Sequence, residues 1–174
     1  MEYTDITTDK QLAEFCHRAA QSKDIAFDTE FVSEDTYHLE LCLCQIANDD
    51  GVVVVDTKAV KEVGPFWELL ASGDHTTIAH AEREEFLFCL RATGKCPANL
   101  VDLQVAAGLM GLEYPISYGN LCHKLLGESL PKGETRTDWR RRPLSEQQIE
   151  YALNDVVYLR QTRDRLTKRL KELG

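Results

Sequence analysis

Asp24-Ile25-Ala26-Phe27-Asp28-Thr29-Glu30-Phe31 is a short, largely apolar run that ends in charge. Its brevity and its apolar content predict a strand. Two further runs, Leu39 to Ala47 and Val52 to Asp56, flank an Asn48-Asp49-Asp50-Gly51 turn and read as strands joined by it. The three together form an antiparallel meander. Residues two apart on a strand share a face, so Asp28 and Glu30 hold their carboxylates side by side. Two such anions repel unless a cation lies between them, and hard divalent ions prefer carboxylate oxygen. A solvated strand end also explains a lone Asp-x-Glu, and the pair decides nothing by itself.

Outward from this meander, the pattern becomes helical. Thr8 and Gln11 have capping-box form ahead of Leu12, Phe15, Cys16 and Ala19, which predicts a helix over 9–21. Helices are also expected over 65–71, 82–93 (stopped by Gly94), 103–110 and 118–126, with brief strands at 76–79 and 100–101. Residues 128–144 read as a loop. Ser145 and Gln148 form a second capping box, with Leu144 placed to staple onto Ile149, and open one long final helix. The whole reads as a single α/β domain over 1–174, a mixed sheet with helices packed around it.

Composition narrows the function. With 43% hydrophobic and 28% charged residues, the chain is of soluble globular type. No apolar stretch has the length of a membrane span and residues 1–5 lack a signal-peptide pattern, so a cytoplasmic location is expected. A net charge of -9 excludes broad electrostatic attraction to nucleic acid and leaves room only for local contacts. Metal in a carboxylate cluster would convert it into a phosphate site. The six cysteines contain no Cys-x-x-Cys pair and read as reduced core thiols; Cys42 and Cys44 alone offer only half a zinc site.

Two other groups carry potential chemistry. Tyr151 and Asp155, four apart on the capped helix, share a face, and a phenol beside a carboxylate can hold a water. His80-Ala81-Glu82-Arg83-Glu84-Glu85-Phe86 brings acids to a helix start, which also suits the helix dipole. Lys132, Arg136, Arg140, Arg141 and Arg142 form a basic loop before the Tyr151 helix, where some would contact phosphate. Arg136 can instead pair with Asp138 and brace Trp139. Asp102 reads as an N-cap or as a brace for the site.

In order, Asp28-x-Glu30, His80 with an acid five residues on, and Tyr151-x-x-x-Asp155 resemble the three motifs of the DEDDy exonucleases. Asp28-Thr29-Glu30-Phe31, Leu41 to Gln45, Val101-Asp102-Leu103-Gln104, Arg136-Thr137-Asp138-Trp139-Arg140, Arg142-Pro143-Leu144 and Tyr151 to Leu159 look like ribonuclease D, and the likeness spans residues 5–166. The resemblance implies a ribonuclease H-like fold and a 3′-to-5′ exonuclease acting on single-stranded RNA or DNA ends, RNA before DNA, with two Mg²⁺ or Mn²⁺ ions. It implies that Asp28 bridges the ions, that Glu30 and Asp155 complete one shell, and that Tyr151 orients the attacking water. Glu85 stands where the family has Asp, a methylene shorter. Phe31 and Leu41 fall where the family packs the terminal base and sugar; His80 reads as structural or as a substrate contact, and Lys132, Arg136 and Arg140 as phosphate contacts for a strand approaching the Tyr151 helix.

Ribonuclease D proper carries helical nucleic-acid-binding domains after its nuclease domain. This chain is therefore expected to be a catalytic module without them, of low processivity unless a partner adds surface. The rival reading is a binding or scaffold protein on the same fold, its catalysis weakened by Glu85.

Overall fold

The computed structural model describes residues 1–33, 39–81, 83–131 and 137–173. Six strands form one mixed sheet: β1 (Thr4–Ile6), β2 (Asp24–Val32), β3 (Glu40–Asn48), β4 (Gly51–Asp56), β5 (Thr76–Ala79) and β6 (Leu100–Asp102), in the order β1-β4-β3-β2-β5-β6. The expected meander is its antiparallel centre, β2 against β3 and β3 against β4. β5 and β6 extend it in parallel beyond β2, and β1 pairs in parallel with β4. β1 was not foreseen: three residues with one buried side chain carry no readable alternation.

Among the described residues, seven helices cover the two faces: α1 (Asp9–Ala19), α2 (Gly64–Ser72), α3 (Arg83–Thr93), α4 (Leu103–Leu109), α5 (Tyr118–Leu126), α6 (Glu146–Val157) and α7 (Leu159–Leu173). Both capping boxes form, Thr8 with Gln11 and Ser145 with Gln148. Gly127 ends α5 at φ 79°, a backbone conformation that favours glycine. One face of the sheet packs Ile25, Phe27, Cys44 and Ile46 against α1 to α3 through Phe15, Phe66, Trp67 and Cys89. The other packs Ala26, Ala47, Leu43 and Val54 against α4 to α7 through Leu103, Leu121, Ala152, Val156 and Leu159.

The single long final helix requires correction. The chain breaks at Tyr158 between α6 and α7, and the break lets Val156, Leu159 and Leu166 join one buried cluster. All six cysteines are free; five are buried and Cys96 is exposed. Cys42 and Cys44 pack into different clusters, which removes even the half-site for zinc. Among the described residues, no helix is long and apolar enough to cross a membrane.

Candidate active site

Strand alternation places Asp28 and Glu30 on the α6 side of β2, and α6 brings Asp155 down onto them. Each of the three offers a carboxylate oxygen, and these oxygens lie within 4.8 Å of one another. Each side chain keeps some contact with solvent, yet burial is the largest influence on all three. Burial and then Asp155, Glu30 and Glu85 hold Asp28 well above the usual carboxylate range. Burial and the same acidic neighbourhood push Glu30 up to about 9. Asp155 rises to about 7 through burial, opposed by a hydrogen bond from Tyr151. Among the described residues, burial and the other acids act most strongly on these carboxyls, so the donor set fits a hard divalent ion, which would neutralise it.

Tyr151 lies one turn before Asp155 and donates its hydroxyl to that carboxylate. Its ring is tilted over Trp139 at 6.2 Å, and Trp139 is buried. Glu85 is also buried but is not part of the three-oxygen group. It meets β2 from the opposite face, where the Thr29 hydroxyl donates to its Oε1 at 2.5 Å. Burial raises the Glu85 carboxyl, and the Thr29 bond opposes that rise.

Phe31 and Leu41 are cross-strand partners beside Glu30, at the point where the β2–β3 register shifts. Both are half-buried, and Phe31 also packs edge-on against Phe88 at 5.9 Å. His80 Nε2 donates to the Ile116 carbonyl at 3.0 Å, and its ring lies 5.4 Å from that of Tyr118. A pocket of about 160 Å³ is lined by Phe27, Asp28, His80, Tyr118, Tyr151, Asp155 and Leu159. Tyr118 was missed in the sequence, where nothing separates it from any first-turn helix residue. A larger depression of about 580 Å³, lined by Met1, Tyr3, Leu144 and Ile149 among others, shares no residue with this pocket. The buried acids, rather than cavity size, define the site.

The basic loop divides. Lys132 and Arg136 lie outside the described residues, so the expected pairing of Arg136 with Asp138 does too. Among the described residues, Asp138 pairs with Arg140 at 2.8 Å and Arg141 at 3.6 Å. Arg142 does not face solvent as a phosphate ligand would. It forks onto Asp56 and bonds the carbonyls of Cys42, Trp139 and Arg141. Asp102 is the N-cap of α4 through Oδ1, which also accepts the Ala81 N–H at 3.1 Å in the turn after His80, where Ala81 has φ 63°.

With half-buried acids on a central strand and a facing helix, the chain belongs to the 3′-5′ exonuclease family, whose model matches residues 3–171. Within it the chain is similar to ribonuclease D of Sphingobium indicum, 41% identical over 171 residues, which cover 97% of this chain and 44% of that protein. The structure of Escherichia coli RNase D, described as an exoribonuclease involved in structured RNA processing, superposes with a TM-score of 0.92 at 33% identity, covering 99% of this chain and 46% of that one. Brucella melitensis NrnC bound to pGG superposes at 0.82 with 26% identity, covering 100% and 84%. The chain thus spans less than half the length of the curated relatives it matches. The ribonuclease H-like fold expected from the motifs is the fold found.

Proposed function

We propose that the chain is a metal-dependent 3′-to-5′ exonuclease that shortens single-stranded RNA from its 3′ end, releasing nucleoside 5′-monophosphates. The observation that carries this reading is the half-buried Asp28–Glu30–Asp155 cluster, with Tyr151 hydrogen-bonded to its Asp155. Left without a cation, these acids would only destabilise the fold, which argues against a protein that merely binds. Asp28, Glu30 and Asp155 would hold two divalent ions, Mg²⁺ or Mn²⁺, with Glu85 acting from the far side of β2 through water. When bound, such ions lower the pKa of a water and stabilise the attacking and leaving oxygens of an in-line displacement.

The remaining work falls to the protein. Tyr151 donates its hydroxyl hydrogen bond to Asp155 and keeps its oxygen lone pairs free to accept from the attacking water, which fixes that water's direction. Water attacks phosphorus, the bond to the 3′-oxygen of the shortened strand breaks, and that oxygen leaves with a proton. Phe31 and Leu41 offer apolar surface to the terminal base and sugar, His80 lines the neighbouring pocket, and Arg140 lies on the strand's approach. RNA is preferred over DNA by analogy with the ribonuclease D relatives, and a cytoplasmic location accords with the same likeness.

The test is a time course on 5′-labelled single-stranded RNA and DNA with Mg²⁺, Mn²⁺ or EDTA. One-nucleotide shortening from the 3′ end, faster on RNA and abolished by EDTA, is expected. Intact substrate under both metals would overturn the proposal.

A further inference from the structure

We infer that Gln45 is a positioning residue for the carboxylate cluster, its neutral side-chain amide serving Asp28. This rests on the reading of the cluster under Proposed function.

Gln45 sits on β3 directly opposite Asp28 on β2 and Val54 on β4. Paired residues on antiparallel strands share a face, with Cβ atoms about 4.5–5.5 Å apart. Asp28, Gln45 and Val54 therefore form one row across the sheet, on the side covered by α6. Val54 packs there with Ala152 and Leu153 of α6, the helix that carries Tyr151 and Asp155.

Gln45 is completely buried, and neither Oε1 nor Nε2 has a hydrogen-bond partner among the described residues. Its strand neighbours Leu43, Cys44, Ile46 and Ala47 are apolar and buried, so packing alone calls for Met or Leu at this position. A buried amide with no partner is a net cost to the fold, and such groups are retained where function uses them. Directly opposite it on β2 stands the Asp28 carboxylate. The Gln45 amide can donate to that carboxylate while its oxygen accepts from a water in the cluster. Being neutral, it orients Asp28 without supplying the positive charge that the cluster reserves for a metal ion. Lys or Arg here would compete with the ion.

The experiment compares wild type with Gln45→Met, which nearly preserves volume and removes both hydrogen-bonding groups. Without metal, the variant should melt at or above the wild-type temperature, because an unsatisfied amide has gone. Calorimetric titration with Mn²⁺ should show affinity about 10- to 100-fold weaker, the range for loss of a group that orients a metal ligand. On RNA, kcat should fall by a similar factor with KM nearly unchanged. Wild-type Mn²⁺ affinity and kcat in a folded variant would overturn the inference, since a purely structural glutamine predicts that result. Gln45→Leu repeats the test with a smaller side chain; failure of both variants to fold would make the amide a packing requirement and also overturn the role. An inactive wild type would overturn the nuclease reading, while the Mn²⁺ comparison would still decide Gln45.

Discussion

Replacing Arg142 with methionine is expected to loosen the protein without changing how many phosphates it contacts. The guanidinium makes two charge-assisted bonds to Asp56, of 2.6 and 2.7 Å, and three to the carbonyls of Trp139, Arg141 and Cys42, of 2.8, 2.8 and 2.9 Å. Its side chain is 25% exposed and that of Asp56 17%. Breaking a buried pair by removing one partner costs about 3–5 kcal/mol, and the partial exposure places this one near about 3 kcal/mol. At about 2–4 °C per kcal/mol for a chain of this length, the melting temperature should fall by about 6–12 °C. Burial alone would raise Asp56, but the Arg142 bonds bring it below the ordinary 3.8. The pair's contribution is thus present above that value and lost as pH falls through the folded pKa, so the two proteins should converge in acid. Melting curves at neutral and acid pH measure this. Trp139 lies beneath Tyr151, so a fall in kcat should accompany the loss of the clamp. RNA binding as a function of salt supplies the discriminating measurement. A phosphate contact on a single strand contributes about 0.7 to the slope of log K against log salt, and Arg142→Met should leave that slope intact. A slope reduced by about that amount, with the melting temperature unmoved, would refute the structural role.

Asp28→Asn should abolish exonuclease activity while the metal-free protein melts no lower than wild type, because a buried carboxylate facing Asp155 and Glu30 has gone; unchanged turnover would show the site is misplaced. Mn²⁺ at about 100 times its Kd should stabilise wild type by about 2.7 kcal/mol, read as a rise in melting temperature that EDTA reverses and Asp28→Asn lacks. Thr29→Val removes the hydroxyl that donates to the Glu85 carboxylate and should lower kcat, with Thr29→Ser restoring it; equal rates in both variants would assign Glu85 no part. His75 is buried with neither ring nitrogen bonded among the described residues, and burial lowers its pKa despite Asp74 and Asp24 nearby. Below about pH 6.5 the unfolded chain takes up the proton first, so this residue's contribution declines from there to the folded pKa. His75→Phe should therefore flatten the melting temperature over that window, and an undiminished slope would count against the assignment.

Most of the secondary structure was legible because its causes are local. The Thr8–Gln11 and Ser145–Gln148 boxes fix their helix starts with groups three residues apart, and Gly127 stops α5 through its own φ. The same locality explains the failures. β1 is held by its register with β4, about fifty residues away, and the break at Tyr158 answers to a cluster whose buried residues come from five other elements.

For the site, the sequence by itself determined the chemistry on offer: Asp28 and Glu30 on one face of a strand, Tyr151 and Asp155 one turn apart on a capped helix. Spacing along a strand or helix sets these pairings before the chain folds. Only the tertiary structure decided which partners meet across distance. It brought Asp155 onto β2, tied Glu85 to Thr29 across 56 residues, and drew Arg142 out of the basic loop onto Asp56 across 86. It also set Gln45 opposite Asp28. Sheet register and helix docking minimise the free energy of the whole core, and a window of neighbouring residues carries no record of that balance.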